Sequence, residues 1–472
     1  MTYTETIDRL NGKLRVDASF DLLSRAVSVG GRRGTLYFVD GFTKDEVLEK
    51  MLEFLSKLPP EDVRGVNDAK EFIARFITYV EVDSCRDLDR VTRQVLSGNT
   101  ALVVEDLDSV VLIDCRTYPV RGVEEPESDR VMRGSRDGLV ETLVFNTALI
   151  RRRLRDPALT FEAIPVGSLS STDVCLCYLD DRVDRKTLSR LRRRLQDITI
   201  PALTLGQESL AECLLRGQWY DPFPRIRYTE RPDSAAAAIA EGQIVLLVDN
   251  SPAAMLLPTS IFTFAQDTND YCFPPIVGSY LRLVRGLIFL LTLFLTPVWY
   301  WLMQNPDKIP AMLEFIRIKE PNSLPLIVQM LLVEVLIDTL KLAGLNTPTS
   351  LSNALSLVGA LVFGEFAVQA GLFVPELLAY MAFVAIASFT QPSHELAYAF
   401  KLFRMLFLLL TWLLGGWGLL LGMALMLLTL VTTKTVAGGR YLYPLIPFNG
   451  RALWRLLWRQ PISRHNAARR GE

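Results

Sequence analysis

The stretch Gly286-LIFLLTLFLTPVWYWLM runs for 18 residues without a charged side chain. At about 1.5 Å per residue, a helix of that length nearly crosses a hydrocarbon core ~30 Å thick. Lipid offers a backbone no hydrogen-bond partners, so a chain with this stretch must be helical there. Arg282 and Arg285 precede it and Trp299, Tyr300 and Trp301 end it. Basic residues on one side and aromatics on the other predict a span that starts in the cytosol, with a kink at Pro297. The rest of the chain divides around this span. Lys, Arg, Asp and Glu crowd the first 240 residues, and apolar residues dominate from Gly286 onward. The opening MTYTETIDRLNGKLRVDASF has no apolar core behind a basic start, so it does not read as a secretory signal. A net charge of -1 gives no pull toward nucleic acid. The expectation is a cytosolic α/β domain in two related subdomains, residues 1–125 and 126–275. A transmembrane helical domain of four to six segments follows over 276–433, then a basic tail over 434–472.

Two stretches of the first domain are alike. Gly34-TLYFVDGFTKDEVLEKMLEFL and Thr172-DVCLCYLDDRVDRKTLSRLRRRL each read as a strand, an acidic turn and an amphipathic helix. The match sets Phe38 against Tyr178, Asp40 against Asp180 and Leu48 against Leu188. The acidic turn residues suit a helix N-terminus, with a metal site as the alternative. Thr100-ALVVE, Ser109-VVLID and Gln243-IVLLVD are further strand candidates. Cys175 and Cys177 lie two apart on a strand and so share one sheet face; core burial is expected, with a two-thiol metal site as the alternative. The helix Leu139-VETLVFNTALIRRRL ends on Arg151, Arg152 and Arg153. Basic residues suit a helix C-terminus, so a solvated face is the default reading. A grip on a neighbouring subunit's acidic surface is the functional one. No Walker loop, Rossmann glycine run, GxSxG or HExxH is present. The two histidines, His394 and His465, both lie in the membrane half. The expectation is a regulatory or assembly platform: no enzyme, no cofactor and no metal.

In the second half, Leu324-PLIVQMLLVEVLIDTLKLAG is apolar yet carries Glu334, Asp338 and Lys341 at spacings of four and three, on one helical face. Charges facing lipid cost roughly 2.5–3.5 kcal/mol each. Two readings stand: an interfacial helix with an Asp338–Lys341 surface pair, or a polar stripe lining an ion path. Leu351-SNALSLVGALVFGEFAVQAGLFV reads as a further span, with Gly359, Gly364 and Gly371 for close helix packing and Gln369 as a polar group. Pro375-ELLAYMAFVAIASF follows. The 32 residues from Leu402 to Thr433, broken at Gly415-Gly416, form a tight hairpin or one bent helix. In the tail, Arg451, Arg455 and Arg459 repeat every four residues beside Trp454 and Trp458, as in a helix lying on an anionic membrane surface.

Three stretches carry a family resemblance: Arg133-GSRDGLVETLVFNTALIRRR, the tetrapeptide Glu230-Arg231-Pro232-Asp233, and Val248-Asp249-Asn250-Ser251-Pro252. Within the first, the matching positions include Arg133, Gly134, Arg136, Asp137, Gly138, Glu141, Asn146, Arg151 and Arg152. With the acidic helix, Ala343-Gly344 and the VGALVFGEFAVQAG run, the chain resembles A subunits of the GerA family of spore germination proteins over almost its whole length. Asn346 stands in AGLNTP where nutrient-receptor A subunits have Arg. CFPP, LTPVWYWLMQNP, GLFVPELL, QPSHELAYAFK and YPLIPFNGRAL instead resemble the stage V sporulation protein AF branch. The resemblance implies a homo-oligomeric ring, pentameric in the family's pattern, in the inner membrane of the spore. It implies ion conduction during germination beside other inner-membrane germination proteins. On that basis Glu334 and Asp338 are expected at the pore or its mouth, Gly359 and Gly364 beside a gate, and Gln369 as a polar pore group or, alternatively, in a helix–helix hydrogen bond. The alternatives are a nutrient-sensing receptor subunit and a membrane scaffold.

Overall fold

Among the described residues, ten short strands build two sheets of the same design. The structure is a computed structural model that describes residues 2–116, 134–215, 220–319, 324–346 and 366–459. The chain divides into two compact units. Unit 1 comprises Met1–Gly217, Ile226–Thr259 and Val436–Gly438; unit 2 comprises Gln218–Arg225, Ser260–Thr435 and Gly439–Glu472.

In unit 1, helix α1 (Tyr3–Leu14) precedes the hairpin of β1 (Leu22–Val29) and β2 (Arg32–Val39). The hairpin turns on Gly30 and Gly31, both with positive φ, which a two-residue turn of this twist requires. Then come α2 (Asp45–Ser56), α3 (Pro60–Val63), α4 (Ala69–Phe76), β3 (Val82–Cys85), α5 (Leu88–Leu96), β4 (Thr100–Val104) and β5 (Val110–Ile113). The second half repeats the plan. It runs α6 (Leu143–Arg153), β6 (Leu159–Val166), β7 (Thr172–Leu179), α7 (Arg185–Gln196), α8 (Gln207–Leu214), β8 (Arg227–Thr229), α9 (Pro232–Ala240), β9 (Ile244–Val248) and β10 (Ala254–Leu257).

Strand order is β1-β2-β4-β5-β3 in one sheet and β6-β7-β9-β10-β8 in the other, antiparallel throughout. Both sheets are covered on two faces, which is why their central strands lack polar alternation. In the first, α1 and α5 cover Tyr37, Ala101 and Leu112, while α2 and α4 cover Leu36, Leu102 and Val111. In the second, α6 and α9 take the first role and α7 and α8 the second. The likeness of the β2–α2 and β7–α7 stretches therefore extends to whole subdomains, with Leu48 and Leu188 each buried under its sheet. Cys175 and Cys177 lie in the core under α6 and α9, with their sulfurs 3.7 Å apart.

Two readings of polar residues change. Asp180 does not cap α7; Asp184 does, accepting from the Lys186 and Thr187 amides. Asp180 sits too early in the turn and pairs with Arg15 at 3.0 Å and Arg185 at 2.7 Å. The cap position of α2 is Lys44, not Asp40.

Unit 2 is helical. Its elements are α10 (Ile261–Phe264), α11 (Pro275–Gln304), α12 (Leu326–Asn346), α13 (Ala367–Gln369), α14 (Pro375–Phe389), α15 (His394–Leu414), α16 (Gly416–Thr432) and α17 (Gly450–Leu457). Of these, α11 and α15 are long and apolar enough to cross a membrane; α14 and α16 are apolar but shorter. The Gly415 break makes α15 and α16 a hairpin. Glycine is needed there for close approach: a Cβ at Gly418 would overlap the Leu410 carbonyl, and one at Gly422 would press on the Phe407 ring. An aromatic cluster packs the same hairpin onto α11, with Phe289 and Phe400 centroids 5.3 Å apart.

Candidate functional site

The acidic face of α12 meets basic partners on α15 inside unit 2. Glu334 is 1% exposed among apolar neighbours. Its Oε1 accepts from Arg404 Nη2 at 2.6 Å and Nε at 2.9 Å, and its Oε2 lies 3.2 Å from Lys401 Nζ. Lys401 also pairs with Asp338, and Arg404 donates through Nη1 to the Thr292 carbonyl of α11 at 3.0 Å. Lys401 and Arg404 lie three residues apart, so one face of α15 presents both. An uncompensated charge in such a setting would be costly. Removing one partner of a buried pair costs about 3–5 kcal/mol.

This network forms one wall of a cavity of about 520 Å³, whose lining includes Glu334, Lys341, Ser388, Phe389, Lys401 and Arg404. Lys341 donates to the Ser388 hydroxyl at 3.1 Å and lies over the rings of Phe389 and Tyr398, at 4.9 and 5.6 Å from their centroids. The spacing of the three α12 charges thus brings Glu334 and Lys341 to one cavity, but the surface pair expected between Asp338 and Lys341 does not form. Each acid is held by a base from α15 instead, so neither is a free attractor of cations within this chain. Lys401 and Arg404 were missed in the sequence. Their signal was two basic residues in an otherwise apolar helix, which require partners in lipid or core.

Of the other expected positions, Gly359 and Gly364 lie outside the described residues. Gly371, expected in helix packing, is an exposed turn residue with φ +70 that follows α13. Gln369 is exposed at the end of α13 and does not line the cavity.

The basic first turns of α11 meet a second buried acid. Asp270, 0% exposed, takes Arg282 Nε at 3.2 Å and Arg285 Nη2 at 2.9 Å. Arg459, expected on the membrane surface, turns inward: it is buried, lies over the Tyr271 ring and donates to the carbonyls of Tyr271 and Phe273. Those carbonyls are hydrogen-bond acceptors that a headgroup would otherwise have to replace. Trp454 and Trp458 stay exposed and stacked, 6.1 Å apart, with Arg451 exposed and Arg455 half-buried beside them.

The three hallmark stretches converge in unit 1. The Leu139 amide donates to the Glu230 carbonyl at 2.7 Å, and the Asn250 amide to that of Glu141 at 2.8 Å. Asp249 accepts from the Leu143 amide at the start of α6 at 3.2 Å. Arg231, buried just before Pro232 opens α9, reaches the Ser135 carbonyl at 3.1 Å and holds Asp233 at 2.5 Å. Asn146 clamps residue 140 by both backbone groups, at 2.8 and 2.6 Å. Asp137 pairs with Arg153 at 2.5 Å. Burial pushes the Asp137 carboxyl up, but hydrogen bonds from Arg153 and Ser135 outweigh it and hold it below its ordinary range. Gly134, Arg136 and Arg152 are exposed, Gly138 is buried, and Arg133 lies outside the described residues.

Arg151 overturns the solvated-face reading for its position. It is 0% exposed and its acidic partner is in the same chain: Asp21, met by Nε at 3.0 Å and Nη2 at 3.1 Å. The Leu159 and Asp156 carbonyls, at 3.0 and 3.1 Å, and the face of Phe161 complete its surroundings. Beside it the Phe20 amide donates to the Phe161 carbonyl, so this arginine stitches the two subdomains together.

Residues 9–470 match the family model described as Bacillus/Clostridium GerA spore germination protein. The chain is 35% identical over 454 residues to stage V sporulation protein AF of Bacillus subtilis, covering 95% of this chain and 90% of that one. It is 27% identical over 465 residues to the uncharacterized membrane protein YfkQ of the same organism, covering 96% and 89%. Among solved structures, it matches the N-terminal domain of the A subunit of the Bacillus megaterium spore germinant receptor GerK3. There the identity is 24% and the TM-score 0.41, with 54% of this chain and 93% of that chain covered.

Proposed function

The chain belongs to the GerA family of spore germination proteins, and on that premise we propose that it is a subunit of an oligomeric ion channel in the spore inner membrane, acting in germination. The observation that carries this reading is the buried Glu334–Lys401–Arg404 network with Asp338, set among apolar helices beside a cavity. Ionisable residues inside a membrane bundle are costly and mark ion pathways or the switches that control them. Because the acids are already neutralised, the network reads as a closed state whose rearrangement frees charge toward a path. The two apolar helices long enough to cross a membrane, and a relative named as a membrane protein, support the location. Four to six crossings, a ring of identical subunits and a cytosolic unit 1 belong to the same proposal, as does partnership with other inner-membrane germination proteins. It assigns the chain no catalysis.

The test is conductance of the purified, reconstituted protein, wild type beside Glu334→Gln/Asp338→Asn. Neutralising both acids leaves two uncompensated positive charges, Lys401 and Arg404. Cation current should fall, and selectivity should shift toward anions. Absence of current from the wild type, even with its natural partner proteins present, refutes the channel reading.

A further inference from the structure

We infer that the cavity between α12, α14 and α15 is a binding site for a small organic acid carrying one negative charge. The reasoning starts from the charge balance. Three cations, Lys341, Lys401 and Arg404, line the cavity, and two carboxylates, Glu334 and Asp338, face them. Arg404 spends its donors on Glu334 and the Thr292 carbonyl. Lys401 spends its own on both acids and the Glu334 carbonyl. Lys341 has no carboxylate among the described residues. Its one oxygen partner is the Ser388 hydroxyl, which itself donates to the Ala385 carbonyl. An ammonium carries three donors, so two of them lack an oxygen partner among the described residues. Among the described residues the cavity therefore holds one surplus positive charge, located on Lys341.

The remaining wall selects the rest of the ligand. Ile337, Leu340, Val384 and Phe389 make it largely apolar. A volume of about 520 Å³ is in the range of pockets for organic ligands and far exceeds a halide ion. A carboxylate on Lys341 would gain a charge-assisted hydrogen bond, while an apolar body covers the side-chain wall. One surplus charge matches a monoanion rather than a dianion. This assignment uses the same cavity as the channel reading but stands apart from it. Binding is measured in detergent with no ion gradient, so conductance and binding succeed or fail separately.

The experiment is equilibrium binding of radiolabelled hexanoate to the purified full-length chain in a nonionic detergent, at neutral pH and constant chloride. Saturable binding of one hexanoate per chain is expected, with hexanamide competing at least about tenfold more weakly because it lacks the charge. Lys341→Gln should weaken hexanoate by about tenfold or more, and Lys341→Arg should largely restore it. If Lys341→Gln shifts the thermal midpoint of the free protein, Ala385→Leu serves instead: it narrows the cavity without touching a charge and should also block binding. Oleate, supplied in mixed micelles, separates the sources. Competition by oleate well above that of hexanoate points to a membrane fatty acid, and equal competition to a soluble acid. Equal binding of hexanoate and hexanamide, full binding by a folded Lys341→Gln chain, or no saturable binding of either acid overturns the assignment.

Discussion

Replacing Asp21 with Ala would strand a guanidinium that has no route to water. Arg151 and Asp21 are 0% and 1% exposed and share two hydrogen bonds of 3.0 and 3.1 Å. Breaking a buried pair from one side costs about 3–5 kcal/mol, because the surviving charge stays desolvated. Here Arg151 keeps two carbonyls and the Phe161 face, so the lower end, about 3 kcal/mol, is expected. Six of the seven tryptophans lie at Trp299 or beyond, in the second half of the chain, so intrinsic tryptophan fluorescence is a poor reporter of unit 1. Amide hydrogen exchange read by mass spectrometry reports on it. Peptides covering β1 and β6 should exchange about a hundredfold faster in Asp21→Ala than in wild type, since 1.4 kcal/mol is a factor of ten. Replacing both partners by apolar residues, Asp21→Leu with Arg151→Met, should recover most of the protection, because no charge is then left buried. Wild-type exchange in Asp21→Ala, or a double variant worse than the single one, would refute the stitch between subdomains.

Three further outcomes follow from the same geometry. Asn146→Ala leaves the amide and carbonyl of residue 140 unpaired inside unit 1, at roughly 1–3 kcal/mol for each group without water access; faster exchange at the start of α6 is the readout. Gly418→Ala should lower the thermal midpoint of the detergent-solubilised chain sharply, because the new methyl meets the Leu410 carbonyl, while Gly286→Ala, with open space around it, should not. Asp137 has a depressed folded value, so it stabilises above its unfolded value near 3.9 and loses that contribution as pH falls through the folded value. The urea midpoint followed by circular dichroism should therefore drop below about pH 4, and Asp137→Asn should flatten that limb.

Much of unit 1 was readable because its central strands are buried on both faces. Such strands appear in a sequence as short runs of Val, Ile and Leu, and β4, β5 and β9 are of that kind. The Phe38–Tyr178 and Leu48–Leu188 correspondences pointed to a duplication, whose full extent shows only in the shared strand order. Arg151 was misread because local rules place a basic residue at a helix end comfortably in solvent; its partner, Asp21, lies 130 residues away. Glu334 was visible as a charge needing company, but Arg404 lies 70 residues further on. Helical spacing relates residues within one element and carries no information on which face of another helix meets it.

The duplicated plan also sets an order of events during synthesis. All strands of the first sheet are made by Ile113 and all those of the second by Leu257, and among the described residues the first helix long and apolar enough to cross a membrane begins at Pro275. Domains fold as units while the ribosome adds about 5–20 residues per second. Each sheet draws its strands from one contiguous stretch, so neither waits for distant chain to pair them. Unit 1 thus has its hydrogen-bonded strand framework available before the long apolar helices of unit 2 leave the ribosome.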